Sequence, residues 1–229
     1  MSDRLYSSYS LYKNYNTPTL SAKSIARFDE EVWIPARFND TMKCLEIGSG
    51  TGIFLLYLSS KGIEDLKGID HDENLQNVQP DQVKDKFENV DVWKYLSTES
   101  EETFDRIILF DVLEHFVPEE AFQLILKLKS KLSNNGKIIV KVPNMSSPWG
   151  INYQFGDLTH KTGFNSESLR QLGIACNLQV DKIYDQRVGS RRRVFTSALL
   201  HKFLSWALLT PPPFWGANLY CIYSAKLEP

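Results

Sequence analysis

Residues 44–60 read CLEIGSGTGIFLLYLSS, and the order of residue types there decides the fold. Cys44 to Ile47 is a run of strand length, Gly48-Ser49-Gly50-Thr51-Gly52 is a glycine turn, and Ile53 to Ser60 is apolar over a helical length. Closely spaced glycines let the backbone turn sharply, approach a ligand and pack a helix on its strand, so the stretch parses as strand, turn, helix. The alternation continues downstream. Leu66 to Asp70 reads as a second strand, and Phe104 to Phe110 (FDRIILF) and Lys137 to Val142 (KIIVKV) read as buried strands. Between the last two, helical periodicity runs from Pro118 to Leu132, with Asn134-Asn135-Gly136 as its stop. Ser166 is placed as the N-cap of a helix through Ala175, and Gln179 to Tyr184 and Leu219 to Ala225 read as closing strands. The stretch from Pro143 to Gly163 reads as loop.

Upstream, Ile25, Phe28, Val32 and Trp33 share one helical face that stops near Pro35. Strands alternating with helices at this spacing imply right-handed crossovers. The expected fold is α/β: a Rossmann-like, doubly wound, mostly parallel seven-stranded sheet with helices on both faces. Residues 1–38 are expected to form an arm and helix acting as a lid or cap, and 39–229 the main domain.

The composition fits one globular unit with additions. Of 229 residues, 42% are hydrophobic and 24% charged, which excludes disordered, collagen-like and coiled-coil classes. A net charge of −2 argues against nucleic acid as a partner. Cys44, Cys176 and Cys221 form no C-x-x-C pair and read as reduced, buried thiols. The N-terminus shows no apolar signal region, so a cytoplasmic location is expected, with the inner face of the membrane as the alternative.

The glycine turn departs from G-x-G-x-x-G, and Glu46 lies in the strand just before it. A carboxylate there disfavours a pyrophosphate and suits a cationic ligand such as S-adenosylmethionine (SAM). Asp70, at the end of the second strand, is placed to accept hydrogen bonds from a ribose diol.

Residues 43–144 resemble a class I SAM-dependent methyltransferase, carrying LEIGSGTG, GID, VDVW, FDVLEHF and GKIIVKVPN in the family's order. The resemblance implies that Gly48, Ser49, Gly50 and Gly52 shape the loop round the methionine part of SAM and that Glu46 steadies that loop and the ammonium end. It implies that Asp70 takes the ribose hydroxyls with His71 beside it, that Asp91 and Val92 meet the adenine, and that Phe110 and Asp111 border the sulfonium.

Asp111, His115 and His160 are the catalytic candidates. Methyl transfer to a hydroxyl needs in-line alignment and removal of the acceptor's proton, by a general base or through a metal. His115 reads either as a base or as a packing or SAM-contacting residue, and His160, in the polar loop Gly156 to Lys161 where an acceptor is met, reads either as an acceptor-side residue or as a solvent-exposed loop histidine. Asp111, Glu114, His115 and His160 together resemble the magnesium- or manganese-binding set of small-RNA 2′-O-methyltransferases, with Asp111 standing where Glu is usual. The first part also resembles quinone-pathway O-methyltransferases.

The segment after the fifth strand, VPN and then D-x-T-H-K-x-x-F, resembles methyltransferases associated with bacterial surface glycans. Residues 187–216 form a basic, apolar helical insertion before the last strand. Residues 194–209 are apolar nearly all round, which suits a core helix, a homodimer interface or peripheral membrane contact. Arg187, Arg191, Arg192 and Arg193 read either as a solvated run or as a phosphate clamp. Tyr6, Tyr9, Tyr12 and Tyr15 read either as sugar-stacking or as core-capping residues. The resulting expectation is a SAM-dependent O-methyltransferase acting on a sugar hydroxyl of a surface polysaccharide, glycolipid or activated sugar. The alternatives are a metal-dependent small-molecule or RNA 2′-O-methyltransferase, and a catalytically silent SAM-binding partner subunit.

Overall fold

The computed structural model describes Lys13 and residues 15–98, 101–186 and 189–226. Tyr6, Tyr9, Tyr12 and Arg187 lie outside the described residues. Seven strands form one sheet: β1 (Cys44–Ile47), β2 (Leu66–Asp70), β3 (Phe87–Asn89), β4 (Phe104–Phe110), β5 (Leu132–Pro143), β6 (Leu178–Asp185) and β7 (Asn218–Ala225). Their order is β3-β2-β1-β4-β5-β7-β6, and β7 alone runs antiparallel to its neighbours. The order reverses between β1 and β4, and ligands of such sheets bind beyond the carboxyl ends of the strands at that switch.

The helices are α1 (Ala22–Phe28), α2 (Ile53–Ser60), α3 (Val92–Ser97), α4 (Pro118–Lys129), α5 (Ile151–Phe155), α6 (Ser166–Ala175) and α7 (Arg191–Ala207). Successive strand residues point to opposite faces, so continuous apolar strands need cover on both sides. Ile107, Leu109, Ile138 and Val140 pack under α4 and α6, while Ile108 and Ile139 face a second core with Phe54, Tyr57 and Leu58 of α2.

Ser21 caps α1 by accepting a hydrogen bond from the Ser24 amide at 3.1 Å. The helix runs on through a π turn (Asp29–Trp33) and a last turn (Ile34–Ala36), and ends where Arg37 takes φ +56°. Phe28, Val32, Ala36 and Phe38 join the second core, so this helix is packed on the body of the sheet. The buried guanidinium of Arg106 holds its end, donating to the carbonyls of Ala36 (2.9 Å) and Arg37 (2.8 Å).

Four local expectations are corrected. α4 stops at Lys129 because Leu132 already pairs with Phe104, and Asn134-Asn135-Gly136 lies in a bulge before Lys137 pairs with Arg106. Asn165, not Ser166, caps α6, accepting from the amides of Glu167 (3.1 Å) and Ser168 (2.9 Å). The loop after β5 contains α5. The apolar helix α7 is no core helix: among its described residues none is buried. No helix among the described residues is long and apolar enough to cross a membrane.

Candidate active site

The glycine turn leaves β1 at the switch point. The amides of Gly48 and Ser49 both donate to the Ile69 carbonyl (2.9 and 3.0 Å), and the Gly50 amide donates to Asp70 Oδ2 at 3.0 Å. The side-chain amide of Gln79 closes the turn from outside, donating to the Gly50 carbonyl at 2.7 Å. Two glycines are sterically required. Gly48 has φ +68° and a Cβ there would fall 2.4 Å from Val112 Cγ2; Gly52 has φ +79° and its Cβ would fall 2.3 Å from Gln79 Oε1.

Beside the turn lies a cavity of about 740 Å³. Gly48, Gly50, Asp70, His71, Asp91, Val92, Asp111 and His115 line it, so eight of the residues singled out in the sequence share one site. The Asp70 carboxylate accepts one amide on each oxygen, Gly50 on Oδ2 and Asp72 on Oδ1, which fixes its orientation. Burial raises its pKa, and the two amides work against that rise. His71 Nδ1 stands 3.6 Å from Asp70 Oδ1. Asp91 caps α3 through Oδ1, which accepts from the amides of Trp93 (2.9 Å) and Lys94 (3.2 Å). Ile69, Leu75, Val90 and Val92 give this end of the cavity an apolar lining. A ribose beside Asp70 and a flat base between those side chains fit it. Tyr15 also lines the cavity, with burial and the neighbouring Asp72 raising its pKa above the ordinary tyrosine range.

The other end is built by the turn Leu113–His115 and the loop after α5. That loop is stitched to the turn: the amides of Lys161 and Thr162 donate to the Glu114 carbonyl (2.8 and 3.1 Å), and Thr162 Oγ1 donates to the Phe116 carbonyl at 2.6 Å. The result is a relay. Thr159 Oγ1 donates to Asp157 Oδ1 at 2.6 Å and lies 3.0 Å from His115 Nδ1. A hydroxyl has one proton, so with that proton on Asp157 the Thr159 oxygen accepts from Nδ1–H, and the basic nitrogen of His115 is Nε2. Burial, and then the neighbouring His160 ring, push the His115 pKa down to about 4, which keeps the imidazole neutral at physiological pH.

The remaining candidates lie off the cavity wall. His160 stands behind His115, their rings 4.6 Å apart and edge to face, and its Nδ1 donates to the Gln154 carbonyl at 2.9 Å. Glu114 is fully buried and its carboxyl is raised well above the usual range by burial and then by Asp111. Glu46 is buried beneath the turn and raised by burial and then by Asp70, so it does not face the cavity as an exposed anion. Phe110 packs edge to face on Phe54 and Tyr220. Ser49 and Gly52 belong to the turn without lining the cavity.

The four residues expected as metal ligands do not fit a metal. Among the described residues no group of three or more His, Cys, Asp or Glu side chains is arranged to hold one. Asp111 is instead paired with Lys141, Nζ to Oδ2 at 2.5 Å, and Glu114 Oε1 lies 3.9 Å from His160 Nε2. Lys141, Asp157, Thr159 and Gln79 were assigned no role in the sequence, although the first three fall within motifs quoted there. Only the D-x-T spacing of Asp157 and Thr159, which forms a local turn with the Thr159 amide on Asp157 Oδ1 (3.0 Å), is a readable signal.

Residues 19–183 match the family described as methyltransferase domain, well over half of the chain. The chain belongs to the methyltransferase domain family. An uncharacterized methyltransferase of Alkaliphilus oremlandii is 31% identical over 98 residues, which span 42% of this chain and 43% of that protein. The chain thus matches less than half the length of that curated relative. A SAM-dependent methyltransferase of Archaeoglobus fulgidus has a similar fold, with a TM-score of 0.65 at 23% identity over 87% of this chain and 91% of that one. So has the magnesium protoporphyrin IX methyltransferase of Synechocystis PCC 6803 solved with bound SAH, with a TM-score of 0.60 at 14% identity over 96% and 94%. Identities this low bear on the fold alone, and the fold is the expected Rossmann-like one. Family and fold together are those of a methyltransferase domain.

Proposed function

We propose that this methyltransferase domain catalyses O-methylation, with SAM as donor and a hydroxyl of a sugar in a surface polysaccharide, glycolipid or activated sugar as acceptor. The observation that carries the reading is the Asp157–Thr159–His115 relay at one end of the cavity. An alcohol is a poor nucleophile, and a neutral imidazole with its proton fixed on Nδ1 offers Nε2 to take the hydroxyl proton. Thr159 orients the ring, and Asp157 stabilises the charge that develops on it as the proton arrives.

Bound SAM supplies an electrophilic methyl group on a sulfonium. Asp70 would hold its ribose, Asp91 and Val92 its adenine, and the glycine turn its methionine part. Lys141 pairs with Asp111 and orients it at the cavity edge. Trp93 and Phe116, which both line the cavity, stand edge to face with 5.8 Å between centroids, and Glu120 and Lys161 of the same wall form an ion pair at 3.7 Å. Aromatic surface beside paired polar groups suits the apolar face and hydroxyls of a sugar ring.

The test is methyl transfer from methyl-labelled SAM into separated lipid-linked glycan, nucleotide-sugar, quinone-precursor and small-RNA fractions, with and without EDTA. Label in a glycan or sugar fraction, unaffected by EDTA, is the expected result. Label confined to quinone precursors or RNA overturns the acceptor, and SAM binding with no label anywhere makes the domain a silent partner.

A further inference from the structure

Helix α7 inverts the usual amphipathic arrangement. The contacts that hold it to the body include polar and aromatic ones: Trp149 Nε1 donates to His201 Nε2 at 3.2 Å, His201 stacks on Trp215 at 5.0 Å, and Trp215 Nε1 donates to Ser205 Oγ at 2.8 Å, with Val194 and Leu204 half-buried along the same face. Its large apolar side chains face solvent instead, with Phe195 65%, Phe203 58% and Trp206 80% exposed. The segment that meets it through Trp149 is also apolar outside, with Phe155 71% and Leu158 80% exposed. Apolar surface on this scale on a water-soluble domain marks a binding face.

Charge identifies what the face meets. Residues 187–226 contain six Lys and Arg and no Asp or Glu, in a chain whose totals are 26 and 28. Arg192, Arg193 and Lys202 are exposed on α7 itself. A second copy seated on this face would set the cations of one helix against those of the other, and the helix itself carries no carboxylate to pair them. A bilayer carrying anionic headgroups accepts both the exposed aromatics and the cations. At 17 residues the helix is suited to lie on such a surface rather than to cross it.

We propose that α7, with the adjoining segment through Leu158, docks this protein on the surface of an anionic lipid bilayer. The docking segment runs directly into the relay: exposed Leu158 is the chain neighbour of Thr159, which bonds His115. The face therefore sits beside the proposed acceptor end, though lipid binding can be read without any methyl transfer.

The experiment is sedimentation of the full chain with phosphatidylcholine vesicles, with and without phosphatidylglycerol, at low and high salt. Binding to the phosphatidylglycerol vesicles should be at least about tenfold tighter than to phosphatidylcholine alone, and should weaken with salt. Phe203→Ser with Trp206→Ser should reduce it by about tenfold, and Arg192→Gln with Arg193→Gln should remove the lipid selectivity. These side chains are exposed, so the melting temperature and SAM affinity should not move. Absence of binding to the anionic vesicles, or binding indifferent to both variants, overturns the proposal. So does a concentration-dependent dimer that the same variants dissociate, which would assign the face to a second copy.

Discussion

Replacing Gly48 by Ala tests the glycine turn directly, because two separable penalties meet there. The backbone has φ +68°, and a left-handed residue with a Cβ costs about 1–2 kcal/mol. The new Cβ would also lie 2.4 Å from Val112 Cγ2, a contact with a stiff β-branched side chain. Overpacking of this kind costs about 1–3 kcal/mol, so Gly48→Ala should lose about 2–5 kcal/mol in all. Val112→Ala in the same chain should return the packing part and leave the backbone part. Urea unfolding of the wild type, both single variants and the double variant gives the coupling free energy as a cycle. A favourable coupling of at least about 1 kcal/mol is expected. Additivity within about 0.5 kcal/mol, or a single Gly48→Ala variant as stable as wild type, refutes the reasoning.

Asp70→Ala should weaken SAM binding by about 1.5–3 kcal/mol, read by calorimetry, if the carboxylate holds the ribose through charge-assisted bonds. Both His115→Asn and Thr159→Val should lower kcat by about 10²–10⁴-fold for the base and by less for its support, with SAM affinity retained. Because His115 stays neutral down to about 4, the acid limb of kcat/KM should fall well below the ordinary histidine range, and an acid limb near 6.5 would contradict this assignment. The raised carboxyl of Glu114 binds protons in the folded state that the unfolded chain releases, so its stability contribution is present at acid pH and lost as pH rises through the folded pKa. Glu114→Gln should therefore gain stability over wild type in alkaline buffer compared with pH 5, measured by urea unfolding. Arg106→Met should cost several kcal/mol, since it leaves the Ala36 and Arg37 carbonyls without their donor at the end of α1; a shift under about 0.5 kcal/mol would show that these bonds do not hold the helix.

The strands flanking the site were legible because their centres are buried on both faces, which writes Ile107 to Phe110 of β4 and Ile138 to Val140 of β5 as short apolar runs. The eight residues that share the cavity were legible because they follow strand ends, where a parallel sheet collects its ligand contacts. Side-chain relays leave less trace. Thr159 and Asp157 are polar residues of a loop, and their role depends on a fold-back that ties the loop to residues 114–116. Lys141 reads in KIIVKV as an outward strand residue, and its contact with Asp111 exists only because β4 and β5 are neighbours. Helix α7 shows the opposite failure: a stretch that is apolar nearly all round from residue 194 reads equally as core or as surface seeking a partner, and only its exposure separates them.

The most direct measurement of the central claim is amide hydrogen exchange with and without S-adenosylhomocysteine, which needs no acceptor. Protection should appear at residues 47–52, 69–75 and 90–93, the three strand ends around the cavity. Unchanged exchange at all three, or protection confined to another part of the chain, would contradict a SAM site at the sheet's switch point.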